Sequence, residues 1–326
     1  MANSSVQPNS PVDDNLDIFA QDAKNIWLEE GFKLLVRVFA IFVVIMFLWM
    51  VYIIFQEAQP AVAKFGIGFL WSQEWDTVEG VYGALPYIYG TLVSSLLAII
   101  IAIPVGLAIS LVTSEDFLPG YVRSPIAFIV ELIAAIPSVI IGLWGVFVLI
   151  PFIVPLQTWL SENLNWIPLF NTEFPSGDNL LTAGIILAIM ILPTMAAISR
   201  DVLLVVPKHY RSGSMALGAT RWETIFKVLL PAGFSGIVGA TMLALGRALG
   251  ETMAVTMVIG NSEFISTSLL DASYTIPAVL ANEFAEAENR LHVGALTYLA
   301  LVLFVVTLAV NIGAVILVQW LNRKKK

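Results

Sequence analysis

Ala232-Gly-Phe-Ser-Gly-Ile-Val-Gly-Ala-Thr-Met-Leu-Ala-Leu-Gly-Arg247-Ala-Leu-Gly-Glu251-Thr-Met-Ala-Val-Thr-Met-Val-Ile259 is long and apolar enough to cross a bilayer, for which about 20 residues suffice. Yet Arg247 and Glu251 sit within it, the only charges between Val228 and Asn261. In lipid a charge costs from about 2.5 to more than 10 kcal/mol, so one retained there points to a use. The i, i+4 spacing puts both side chains on one helical face, where they can neutralise each other. Two readings are open: a structural ion pair that locks helices together, or a charged element on a solute path. The rest of the chain favours the second.

The chain has 326 residues, of which 58% are hydrophobic and 12% charged, with a mean hydropathy of +0.87. Soluble domains carry about 25% charged residues, so this composition indicates an integral membrane protein. The formal charge is −8 and no basic run exists outside the last four residues, so nucleic acid is not an expected partner. The absence of cysteine excludes disulfides, thiolate metal sites and cysteine nucleophiles. Only His209 and His292 could supply imidazole, and no metal site is expected from them. Residues 1–33 are polar and acidic and lack the pattern of a cleaved signal peptide. They read as a retained cytoplasmic tail ending in an amphipathic segment, Ile18 to Phe32, at the membrane surface.

Six apolar segments reach spanning length: Leu34–Phe55, Ala84–Val112, Pro125–Pro155, Leu180–Ser199, Ala232–Ile259 and Val293–Trp320. Open strands would leave backbone groups unpaired in lipid, which leaves helices. An even number of spans puts both ends on one side. That side holds every Lys and Arg except Lys64 and Arg290, which fall in the opposite loops, and Arg247, which is intramembrane. By the positive-inside rule both termini are cytoplasmic. The outer loops 56–83, 155–180 and 261–292 are each net acidic. They would repel a free anion within roughly 8 Å at physiological salt, so an anionic solute needs another molecule to deliver it. Pro86, Pro104, Pro137, Pro151, Pro155 and Pro193 kink the spans or open them. Small residues such as Gly142, Gly145, Gly236, Gly239, Gly246 and Gly250 permit close helix approach.

Between the fourth and fifth spans lies the longest cytoplasmic loop, 200–231. Gly218 ends one short helix, and Thr220 with Glu223 three residues on makes a capping box for the next. Trp222, Ile225, Phe226 and Leu229 give the second helix an amphipathic face. So ordered a knob points to a docked partner.

Gly218 followed after nine residues by Val228-Leu-Leu-Pro231 resembles the coupling loop of ABC importer permeases, EAA-x3-G-x9-I-x-LP. Ser212-Gly213-Ser214 stands where that family has Glu-Ala-Ala, so no salt bridge from that Glu carries over. Four further stretches are similar to the family: Gly83–Ser95, Glu131–Gly145, Leu187–Thr194 and Ala216–Glu223. With Gly246-Arg-Ala-Leu-Gly-Glu-Thr-Met-Ala254 they resemble the PstC-type permease subunits of high-affinity phosphate importers, over about residues 80–320.

The resemblance implies an all-α integral membrane protein with six transmembrane helices and the type I ABC importer (MetI-like) permease fold. Its expected parts are the tail 1–33, a first transmembrane helix and outer loop 34–83, a permease core 84–322 of five helices, and a basic end 323–326. It implies a bacterial inner-membrane location and a phosphate-importing assembly. That assembly holds a homologous second permease chain (PstA-type), two ATPase subunits (PstB-type) and an external phosphate-binding protein (PstS-type). Met215, Ala216, Leu217, Gly218, Ala219, Thr220, Arg221, Trp222 and Glu223 then form the ATPase-coupling loop.

No Gly-x4-Gly-Lys-Ser/Thr motif occurs, so ATP and Mg²⁺ are expected on the partner ATPase and no cofactor in this chain. Arg247, Glu251 and Glu131 are the candidate substrate-path residues. Arg247 suits an anion because it is permanently charged and bidentate. Glu251 would hold it when the path is empty. Glu131, within the third span, either pairs with Arg247 or lies near the cytoplasmic mouth close to Arg123. Three alternatives stand: an ABC permease for another oxyanion or small solute, a secondary transporter driven by an ion gradient, and a membrane-embedded enzyme. The last lacks a visible nucleophile–base pair or metal cluster.

Overall fold

The computed structural model describes the backbone of residues 14–323 and the side chains of residues 29–316, 319 and 320. The chain divides into two compact units, Met1–Gln56 and Glu57–Lys326. In the first, helix α1 (Asp14–Phe65) begins and runs on across the boundary. It passes residue 33 without a break, so tail and first span form one helix. Of the amphipathic segment Ile18–Phe32, the side chains before Glu29 lie outside the described residues, as do residues 1–13 and 324–326.

Among the described residues, six helices are long and apolar enough to cross a membrane, beginning at Glu29, Leu85, Ser138, Leu180, Arg221 and Arg290. Among the described residues there is no strand, only the isolated bridges Asp76 to Val81 and Gly260 to Ser273. The expected all-helical, six-span architecture is therefore present.

The second unit is organised on α2 (Leu85–Ser114), which packs most extensively against α6 (Leu180–Val205). Small residues make that approach possible. A Cβ added at Gly106 would lie 2.7 Å from Met195, and one at Gly184 would lie 2.7 Å from Leu97. Ala98, Ala102, Ala183, Leu187 and Ile191 fill the seam. In lipid, such close van der Waals packing replaces the hydrophobic drive available in water. Gln157, Asn179 and Thr182 make a buried polar knot: Gln157 Nε2 donates to Thr182 Oγ1 at 3.0 Å, and Asn179 Nδ2 donates to Gln157 Oε1 at 3.0 Å. Asn179 Oδ1 also caps α6 by accepting from Thr182 N at 3.0 Å.

Two expected spans are not continuous. The third divides into α3 (Gly120–Ala134), α4 (Ser138–Trp144), a π-turn at Gly145–Leu149 and α5 (Ile150–Asn163). The break falls at Ala135-Ile136-Pro137. Proline lacks an N–H and disfavours helical backbone in the residue before it. The crossing segment is consequently Ser138–Asn163 rather than Pro125–Pro155. Only Val130 of α3 is buried.

On the loop 200–231 come α7 (Lys208–Ala216) and α8 (Arg221–Thr224), then a π-turn at Ile225–Leu229 that leads into α9 (Leu230–Leu249). The fifth expected span stops at Leu249. Gly250 ends α9, and the chain re-enters a short helix, α10 (Met253–Thr256), beside α4. A Cβ at Gly142 would stand 2.7 Å from Met257 Sδ and 3.0 Å from Ala254 Cα, so the approach of α10 to α4 depends on that glycine. α11 (Ile276–Glu283) and α12 (Arg290–Arg323) complete the unit. An aromatic group of Phe69, Trp75, Tyr82, Tyr87 and Tyr274 forms a second core between them and the start of α2.

Candidate functional site

The knob on loop 200–231 is built as its residues dictate. α7 ends at Ala216 with Leu217 as its cap, and Gly218 turns the chain at φ +86°, where a Cβ would be strained. The capping box is formed: Thr220 Oγ1 accepts from Glu223 N at 3.3 Å, and Glu223 Oε2 accepts from Thr220 N at 2.9 Å. The Ser214 and Thr224 hydroxyls, 2.9 Å apart, tie α7 to α8. Around this rigid turn large apolar side chains stay in the open: Leu217 is 91% exposed, and Met215, Trp222 and Phe226 are also exposed. A preformed apolar knob on a short turn has the geometry of a docking element, since clustered exposed apolar groups mark interaction sites.

What holds the knob to the spans is Arg211. Its Nε and Nη2 reach Glu115 Oε1 at 3.0 and 2.7 Å, Nη1 donates to the Val206 carbonyl at 2.7 Å, and Nη2 donates to the Leu203 carbonyl at 2.8 Å. One guanidinium therefore joins the end of α2, the end of α6 and the start of the knob. Beside it Arg221 Nη1 donates to the Asp116 carbonyl at 3.2 Å, while the Asp116 carboxylate pairs with Arg123 at 3.1 Å. Phe117 packs on Trp222 with ring centroids 5.4 Å apart. Motion of the knob is thus wired to α2, α3 and α6.

The intramembrane charges are arranged differently from expectation. Arg247 occupies the last turn of α9 and is exposed, whereas Glu251 lies beyond the helix end and is half-buried. Because Gly250 terminates α9, the two do not share a helical face, and no salt bridge joins them among the described residues. Each is instead stabilised at a helix end. Arg247 stands where the α9 dipole favours a cation, and Glu251 Oε1 accepts from Ala254 N at 3.4 Å. Glu131 lies on α3, outside the crossing segment, is exposed, lines a crevice with Arg200, and joins no salt bridge with Arg247 or Arg123 among the described residues.

On the opposite side Trp75, Asp76, Thr77, Glu263, Glu283, Glu286 and His292 line an acidic cavity of about 420 Å³. Glu283 Oε2 accepts from Trp75 Nε1 at 3.0 Å and lies 3.0 Å from His292 Nε2. Burial, then the neighbouring Glu283 and Asp76, push the Glu263 carboxyl above the usual carboxylate range. Burial pushes the Tyr274 hydroxyl up to about 12, opposed by the hydrogen bond it accepts from Asn282. No group of His, Asp or Glu suited to a metal ion is found among the described residues.

Sequence reasoning missed Glu115, Asp116 and the clamp they make with Arg211 and Arg221. The signal was faint: an acidic pair closing an uncharged span, 96 residues before its partner arginine.

Comparison with known proteins bears on the family and the fold. Residues 102–326 match the family model described as "Binding-protein-dependent transport system inner membrane component". A phosphate transport system permease protein PstC of Xylella fastidiosa is 41% identical over 94% of this chain and 95% of its own length. The PstC of Mesorhizobium japonicum is 46% identical over 78% of this chain and 79% of its own. A "probable" PstC of Methanocaldococcus jannaschii is 38% identical over 86% and 91%. Among solved structures, an inward-facing MetNI methionine ABC transporter chain superposes with a TM-score of 0.51 at 18% identity. The superposition covers 74% of this chain and 94% of that one, a likeness of fold alone.

Proposed function

The chain belongs to the family of binding-protein-dependent transport system inner membrane components, and from that premise we propose that it passes inorganic phosphate through the membrane as the permease subunit of an ATP-driven importer. The observation that carries this reading is the similarity to phosphate transport permeases along nearly the whole chain. It is a multi-pass inner-membrane transport component and not itself an enzyme.

The finer picture rests on chemistry. Both termini and the knob 200–231 face the cytoplasm, as the basic residues favour. Two ATPase subunits (PstB-type) hold ATP and Mg²⁺, and the knob residues Met215 to Glu223 seat in them. A homologous permease chain (PstA-type) closes the path. An external phosphate-binding protein (PstS-type) delivers the ion past the acidic outer cavity, which would otherwise repel it. Arg247, exposed and without an ion-pair partner among the described residues, contacts phosphate transiently as it passes, since a tight site would trap the ion. Glu251, four residues on, is the acid that keeps the path from holding the anion.

Purification of the tagged chain from native membranes, with partners identified by mass, tests the assembly. The expected result is one sister permease and two ATPase copies per chain. Recovery of the chain alone, active under an ion gradient, would contradict it.

A further inference from the structure

The crevice between α3 and α6 contains an unmet demand. Arg200, at the cytoplasmic end of α6, has a buried Nε with no hydrogen-bond acceptor among the described residues. Glu131 of α3 lines the same crevice, together with Thr113, Val130 and Ala197, and joins none of the described salt bridges. A donor left unpaired while a carboxylate borders the same crevice is costly. The crevice measures about 20 Å³, room for about one water and too small for a phosphate ion. The one carboxylate among the residues that line it is that of Glu131, which is itself exposed and so free to swing toward Arg200.

α3 is built to deliver it. The helix has a single buried residue, Val130, and a break at Ala135–Pro137 separates it from the crossing segment. Past the break the backbone resumes with Ile140 N donating to the Pro137 carbonyl at 3.0 Å. At its other end, Arg123 holds Asp116, whose carbonyl accepts from Arg221 of the knob. The arm is thus hinged at one end, tied to the knob at the other, and lightly packed between.

We propose that α3 is a transmission arm whose closure on α6 forms a Glu131–Arg200 ion pair, made in one state of the transport cycle and open in the other. Glu131 and Arg200 are positioning residues for transport and do not touch the solute. The proposal rests on the reading of the chain as an ATPase-driven permease, but not on which solute it carries.

The chain contains no native cysteine, so a Glu131→Cys, Arg200→Cys pair reports the approach directly. A disulfide needs Cα atoms within roughly 7 Å. In the complete importer reconstituted in liposomes, oxidative cross-linking is compared without nucleotide and with ATP plus vanadate. The expected result is a yield that changes at least fivefold on trapping. Equal yields, or no cross-link in either condition, overturn the proposal. Independently, Glu131→Gln and Arg200→Gln should each lower ATP-driven uptake about tenfold, and the double variant no further than the worse single. Losses that multiply in the double variant overturn the pairing. If the cysteine-pair importer cross-links with nucleotide dependence but the parent carries a different anion, the arm stands and the phosphate reading falls. If the parent imports phosphate but the cysteine pair shows no nucleotide-dependent cross-link, the reverse holds.

Discussion

Arg211→Ala removes the clamp between knob and spans. Two carbonyls at the end of α6, those of Leu203 and Val206, lose their donors. An unsatisfied buried acceptor costs about 1–3 kcal/mol. Glu115, with a side chain only 16% exposed, is left without its cation, and stripping one partner from a fully buried pair costs about 3–5 kcal/mol. Both figures shrink here, because carbonyls at a helix end and a partly exposed carboxylate regain water. A total near ~4 kcal/mol is reasonable, and at about 1.4 kcal/mol per tenfold it lowers the population of correctly seated knob about a thousandfold. The assay is phosphate-stimulated ATP hydrolysis and uptake by the reconstituted importer. Both should fall at least tenfold while the chain still inserts and its unstimulated partners still hydrolyse ATP. Arg211→Lys should be intermediate, since a point charge cannot serve Glu115 and both carbonyls at once. Stimulated hydrolysis and uptake within twofold of the parent would refute the clamp.

Other outcomes follow from the same geometry. Leu217→Asp, at a 91% exposed tip, should abolish copurification of the ATPase without changing membrane insertion or the sister chain's association. Arg247→Gln should abolish uptake while the complex assembles normally, read by labelled phosphate in proteoliposomes beside size-exclusion profiles. Gly142→Val forces a side chain against Met257 and Ala254; overpacking of about 1–3 kcal/mol should lower the thermal midpoint of the solubilised complex by several degrees. For Glu263 the folded carboxyl is raised, so the native state binds more protons than the unfolded one. Its contribution to stability is therefore lost as pH rises above the ordinary carboxylate value. Glu263→Gln should raise the thermal midpoint at pH 7 and leave it unchanged at pH 4.

Much of the architecture was legible because lipid imposes length and apolarity on every span. The knob was legible too, since a glycine stop at Gly218 and the Thr220–Glu223 box are local chemistry that needs no tertiary knowledge. The breaks were harder. Ile136-Pro137 and Gly250 lie inside mostly apolar stretches, so hydropathy alone does not reveal that the chain leaves one helix and starts another. That is why Arg247 and Glu251 read as an i, i+4 pair although a glycine between them ends the helix. Glu131 was assigned to a span for the same reason. The Arg211–Glu115 clamp left only a faint sign in the sequence, because its partners meet only after α2 and α6 have packed side by side.

The central claim is that this permease opens only when force from a nucleotide-hydrolysing partner reaches it through the cytoplasmic knob. Phosphate uptake into proteoliposomes, with the whole importer on one arm and this chain alone on the other, addresses it most directly. Uptake should require ATP on the cytoplasmic side together with the delivering protein outside, and should vanish for the chain alone under any proton or sodium gradient. Gradient-driven uptake by the chain alone would contradict the account.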